Sequence, residues 1–184
     1  RRGHRRGSVD RSWAEVGRFA GRTQNGTMTD ILDAPTRSRL MSRIRGKDTA
    51  AEWAVRRALH RMGLRFRLHV ASLPGTPDIV LPRHNVCIFV NGCFWHAHRH
   101  CAYARLPSSN TAFWAAKLEA TRSRDQRHRR ALRVLGWRVI DIWECGIRDV
   151  RDPDLSWLKP AILESTRQRL IWPARPRKRS VVRS

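Results

Sequence analysis

Acidic side chains are scarce in this chain of 184 residues: 15 Asp and Glu stand against 38 Lys and Arg, for a formal net charge of +23. Lysine is rarer still. Only Lys47, Lys117, Lys159 and Lys178 occur, so the positive charge is overwhelmingly arginine. No run of about 18 apolar residues is present, so nothing in the sequence reads as a membrane span. The stretch from Arg1 to Gly26 is basic but lacks the apolar core of a secretory signal. The expected compartment is therefore the cytoplasm, where paired disulfides among the four cysteines are not expected. Wholesale disorder is excluded, because 41% of residues are hydrophobic and eight Trp and five Phe can fill a core.

An isoelectric point near 11.8 makes a polyanion the default partner, since each phosphate neutralised releases condensed counterions. Nucleic acid fits best. Ribosomal and nucleoid proteins share this signature, so charge names the partner class and leaves the chemistry open.

The length favours one globular domain with tails. Residues 1–27 read as a flexible basic extension, 28–172 as the compact domain, and 173–184, with Pro173 and Pro176, as a basic C-terminal tail. Thr49-Ala50-Ala51-Glu52 has the form of a capping box, followed by Val55, Leu59 and Met62 at helical spacing and a stop at Gly63. Phe66, Leu68 and Val70 alternate as a strand. Residues 79–81 and 86–90 are apolar runs separated by a polar turn at Arg83-His84-Asn85. A long helix is expected over 113–135, interrupted in its middle by charge, then a strand over 137–143 and a last helix over 155–170. Trp53, Trp137 and Trp143 fall in these elements and are assigned to the core. The order predicts an α/β fold, a central mixed sheet flanked by helices.

Two thiols and three imidazoles crowd into nine residues: Cys93, His96, His98, His100 and Cys101. Cys145 directly follows a predicted strand and can meet that loop in space. Cys87 lies within an apolar run and reads as a small buried hydrophobe. Three Cys and one His form a recognised closed set for structural zinc. Spacing leaves open whether His98, His100 or His96 completes it; a spare imidazole near a metal site is a candidate general base.

Asp78 opens the 79–81 strand, and the neighbouring strand ends at Val90. In a hairpin of this length the two share a sheet edge, where a carboxylate and a backbone carbonyl offer hard oxygen ligands for magnesium. Taken alone, Asp78 is equally well a turn residue after Pro77, and the capping box accounts for Glu52. The coincidence of Asp78, the Val90 carbonyl and His96 on a basic domain supplies the needs of phosphodiester hydrolysis: a metal site, a base for water and charge stabilisation.

The segments 71–78 (ASLPGTPD), 88–96 (IFVNGCFWH), Phe113-Trp114, 136–139 (GWRV) and Trp143-Glu144-Cys145 resemble the very short patch repair endonucleases, and Thr36-Arg37-Ser38 and 48–52 (DTAAE) fit as well. The likeness runs over about 30–148. The resemblance implies a restriction-endonuclease-like fold with structural zinc, and magnesium-dependent nicking 5′ to the T of a T:G mismatch left by deamination of 5-methylcytosine. It implies Asp78 and the Val90 carbonyl as magnesium ligands, His96 as general base and Glu52 as a supporting acid. Cys93, His98, Cys101 and Cys145 would hold zinc. Phe94, Trp95 and Trp114 match the aromatics that the family wedges into DNA beside the mismatch, a role that costs least where pairing is weak.

The chain departs from the family at two places. Asn91 stands where one well-known member carries a second active-site histidine, and the interval from Cys93 to Cys101 is one residue longer than the family pattern. The expected partner is duplex DNA with a T:G mismatch, together with the general mismatch-repair machinery, and the expected state is a monomer. Two alternatives are a restriction-type nuclease of the same fold without mismatch preference and a non-catalytic zinc-stabilised DNA-binding module.

Overall fold

The computed structural model describes residues 46–176. The unit that begins at Ala51 carries the sheet. The extension over 1–27, the segment Thr36-Arg37-Ser38 and the tail beyond residue 176 lie outside the described residues.

Helix α1 (Ala50–Arg61) begins directly after Thr49. Strands β1 (Arg67–Leu68), β2 (Ile79–Leu81) and β3 (Val86–Asn91) follow, then helix α2 (Thr111–Val134), β4 (Arg138–Trp143), helix α3 (Leu158–Leu163) and β5 (Arg169–Trp172). The sheet order is β1-β2-β3-β4-β5. The first three strands pair antiparallel and the last three parallel, so the expected mixed α/β sheet is present. A tight turn suffices between β2 and β3, whereas each parallel step needs a helical crossover, provided by α2 and α3.

Alternation along the strands builds two cores. Ile79, Leu81, Val86, Ile88, Ile140 and Ile142 pack with Val55 and Leu59 of α1 and Leu158 and Ile162 of α3. Val80, Cys87, Phe89 and Val139 turn to the other face, against Leu132 of α2. Burying these side chains contributes about 1.5–3 kcal/mol for each large aliphatic. Helix α2 is continuous. Its charges do not interrupt it: most lie on the outer face, while Leu118, Arg129 and Leu132 face inward and Asp125 is partly buried.

Three expectations need correction. The helix expected over 155–170 is only six residues long, because the Asp154 carboxylate accepts from the Ser156 amide and hydroxyl and delays its start. At its other end the Arg138 guanidinium donates to the carbonyls of Ala161, Ile162 and Ser165. Leu170 and Trp172 belong instead to the edge strand β5, a short pattern that the helical reading absorbed. The strand expected from Phe66 to Val70 pairs only at Arg67–Leu68, since His69 takes a φ of +47°. That kink sends Phe66 to one core and Val70 to the other. Trp53 is not in the core: it is 50% exposed and carries the Arg56 guanidinium over its ring.

Gly75 fixes how the loop before Asp78 meets α2. Its φ is +77°, and a Cβ there would lie 2.8 Å from Nδ1 of His128. Gly75→Ala is therefore expected to lose about 1 kcal/mol or more of stability, read as a lower denaturant midpoint with an unchanged slope; an unchanged midpoint would show that the loop yields freely.

Candidate active site

At the base of the loop leaving β3, sulfur and nitrogen donors gather. Donor atoms of Cys93, His98, Cys101 and Cys145 all lie within 4.8 Å of one another. Nδ1 of His98 is 3.5 Å from Sγ of Cys93 and 3.5 Å from Sγ of Cys145. Zn–S bonds of about 2.3 Å and Zn–N bonds of about 2.0–2.1 Å at a tetrahedral angle put S and N about 3.5 Å apart, so this donor set fits zinc. The His98 ring also stacks on Trp143, with centroids 4.0 Å apart and planes 2° from parallel. His98, not His100, belongs to this group. His100 is exposed, with a φ of +58°. The Cys145 hydrogen bond, burial and the facing thiols push the Cys93 thiol upward, a cost that a bound cation removes.

Asp78 sits where β2 begins and its carboxylate Oδ2 accepts from the Val90 amide at 2.8 Å. Within a strand the N–H and C=O of one residue point to the same side, so the Val90 carbonyl shares the Asp78 side of β3. Burial, reinforced by the charge of Glu52, raises Asp78 from 3.8 to about 6, against the Val90 hydrogen bond and the positive charges of His69 and His96. Asp78 and His96 are thus within electrostatic reach of each other. Glu52 is buried at 2% exposure and receives Arg56 Nη2 at 2.6 Å. His69 links it to Asp78: Nε2 lies 3.9 Å from Glu52 Oε2, and Nδ1 lies 4.0 Å from Asp78 Oδ1.

His96 has a partner that sequence reasoning missed. Its Nδ1 is 2.5 Å from Oδ2 of Asp125, on α2. Burial pushes Asp125 up, but the His96 hydrogen bond and the charges of His96, Arg129 and Arg124 more than offset it and hold the carboxyl below its usual range. A carboxylate can only accept, so Nδ1 donates to it and Nε2 is the ring nitrogen left facing away from Asp125. One signal was available: Asp125 is the sole acid between Arg122 and Arg133. His69 was equally overlooked, because strand alternation left it on a solvent face.

Asn91 does not replace a histidine chemically. It is buried, its Nδ2 donates to Asp141, and its Oδ1 accepts from Arg129.

Phe94, Trp95 and Trp114 come together, each partly exposed, with ring centroids 5.0, 5.3 and 6.2 Å apart. Phe113 extends the cluster and is 59% exposed. Lys117 Nζ lies 5.6 Å and 5.3 Å from the Phe113 and Trp114 ring centroids, placing a cation beside flat apolar faces.

A carboxylate and a strand carbonyl at one edge of a mixed sheet, in a chain this basic, fit an endonuclease, a hydrolase acting on DNA. Comparison with known proteins narrows the class. Residues 29–103 match the family model described as DNA mismatch endonuclease Vsr. The type II nicking enzyme V.XorIIP of Xanthomonas oryzae pv. oryzae is 50% identical over 67% of this chain and 90% of its own length. The DNA mismatch endonuclease Vsr of Escherichia coli is 44% identical over 66% of this chain and 77% of its own. The type II nicking enzyme V.NmeAIP of Neisseria meningitidis is 38% identical over 66% and 86%. The chain belongs to the Vsr DNA mismatch endonuclease family.

Two outcomes follow from this geometry. A carboxyl raised to about 6 stabilises the fold below about 3.8 and loses that contribution as pH rises through about 6. In metal-free protein Asp78→Asn is thus expected to gain stability on the order of 2–3 kcal/mol near pH 7.5 and little near pH 4; thermal midpoints at the two pH values decide it, and an equal effect at both would contradict the burial argument. Cys145→Ser is expected to lower bound zinc and thermal stability together. Full zinc stoichiometry in that variant would remove Cys145 from the ligand set.

Proposed function

We propose that this chain nicks duplex DNA 5′ to the T of a T:G mismatch by magnesium-dependent hydrolysis, with zinc as a structural ion. What supports this reading is the Asp78–Val90 contact together with the His96–Asp125 pair, with the partly exposed rings of Phe94 and Trp95 on the loop that carries His96. Asp78 and the Val90 carbonyl are the hard oxygens suited to magnesium. Bound there, the ion would polarise the scissile phosphate and offset charge on the leaving oxygen.

The chain's own groups do the rest. Nε2 of His96 accepts a proton from the attacking water, and Asp125 stabilises the resulting imidazolium. Glu52, held by Arg56, acts on Asp78 both directly through its charge and through His69. Cys93, His98, Cys101 and Cys145 keep the loop that carries His96 in register with β4. Phe94, Trp95 and Trp114 offer rings for a base step whose unstacking costs a few kcal/mol, least at a mispair.

A second reading draws on the relatives named as type II nicking enzymes: a nuclease of the same fold without mismatch preference. Nicking of T:G and fully paired duplexes, with magnesium or with chelator, separates the two. The expected outcome is cleavage of the T:G duplex alone and only with magnesium. Equal cleavage of both duplexes favours the second reading, and binding without cleavage leaves a DNA-binding module. Asp78→Ala is expected to slow nicking by at least about 10²-fold with DNA affinity within a few-fold of wild type; undiminished nicking would take Asp78 out of the mechanism.

A further inference from the structure

Arg129, at 5% exposure, is the one buried cation of α2. Its guanidinium is fixed on every side. Nε donates to Asp141 Oδ1 at 3.0 Å and Nη2 to Asn91 Oδ1 at 2.9 Å. The plane lies 3.7 Å from the centroid of the Phe89 ring. Asp141 is fixed in turn: Asn91 Nδ2 donates to Oδ1 at 3.2 Å, and Arg169 of β5 approaches Oδ2 at 2.9 and 2.7 Å. The remaining nitrogen of Arg129, Nη1, is thereby delivered to Asp125, one helical turn earlier, at 3.8 Å from Oδ1.

Stability does not account for this network. A buried ion pair is commonly matched or bettered by apolar residues of similar size, and the surrounding face of the sheet is apolar. Its placement does account for it. Asp125 stands between two arginines: Arg124 Nη2, 3.6 Å from the same Oδ1, belongs to a side chain that is 54% exposed, whereas Arg129 is locked to the sheet. The exposed arginine draws the carboxylate outward, and the buried one keeps it over the protein, with Oδ2 turned to His96.

We infer that Arg129 is a positioning residue for the reaction, a buried guanidinium anchored by Asp141 and Asn91 that holds Asp125 against His96. Asn91 thus serves the base indirectly, through an anchor rather than as a group at the phosphate. The inference rests on the nuclease reading above, in which His96 takes the proton.

The test uses the full chain, loaded with zinc and saturated with magnesium, on whichever duplex the wild type nicks. Arg129→Met is expected to lower kcat about 10- to 100-fold, the loss typical of a misplaced catalytic group, with KM within about twofold of wild type. Arg129→Lys, which keeps a cation at this position, should recover part of the loss. In an Asp125→Asn background, Arg129→Met should cost nothing further, because its effect passes through Asp125. Should Arg129→Met fail to fold, Asp141→Asn carries the test: it leaves the guanidinium charged but weakens its anchor, and a smaller fall in kcat at constant KM is expected. Losses that multiply in the Asp125→Asn background, or that appear in KM alone, would overturn the role of Arg129. Nicking that needs His96 and Asp125 but is indifferent to Arg129 and Asp141 would overturn it and leave the nuclease reading intact. If the wild type nicks no duplex, that reading fails and this one with it.

Discussion

The site depends on one joint, the sulfur–nitrogen cluster between the loop after β3 and the end of β4. Residues 92–101 form turns with few backbone hydrogen bonds of their own, yet they carry His96 and two of the aromatic rings. A loop so poor in regular structure ordinarily samples many conformations. Cys93 and Cys101 from the loop, His98 between them and Cys145 from beyond β4 gather at one point, and an ion held there would remove that freedom. Parallel pairing of β3 with β4, which sets Asn91 opposite Trp143, brings the two ends of the joint together. The stacking of His98 on Trp143 then orients the imidazole.

Helix α2 gives the second support. Asp125, Arg129 and Leu132 fall at positions i, i+4 and i+7, one face of a helix, so a single rigid element presents a carboxylate to His96, a guanidinium to the sheet and an aliphatic side chain to the core. The same helix starts at the aromatic cluster, where Phe113 and Trp114 occupy its first turn. Mostly polar along its length, α2 buries only two apolar side chains, Leu118 and Leu132.

Much of this was legible in the sequence. Period-two apolar runs marked β2, β3 and β4, and three cysteines with neighbouring histidines marked the donor cluster because that mixture is a recognised zinc-ligand set. The meeting of Asp78 with Val90 followed from hairpin arithmetic. What escaped reading depends on φ angles or on helix rotation. A single left-handed residue, His69, broke an otherwise regular strand pattern, and nothing in its immediate neighbours announces that conformation. Asp125 and Arg129 lay hidden in a run of charge, since a polar residue facing a sheet looks like any other until the helix phase is known. Strand β5 was absorbed into a helix because Leu158, Ile162 and Leu170 are compatible with helical spacing, and only the early termination enforced by Arg138 reveals the break.

The strained carboxyl of Asp78 has a consequence for the molecule as a whole. A fold that keeps an ionised group out of water near neutrality stores free energy at that spot, released when positive charge arrives there. Cation binding at this edge and the folding equilibrium would therefore be linked, each readable through the other.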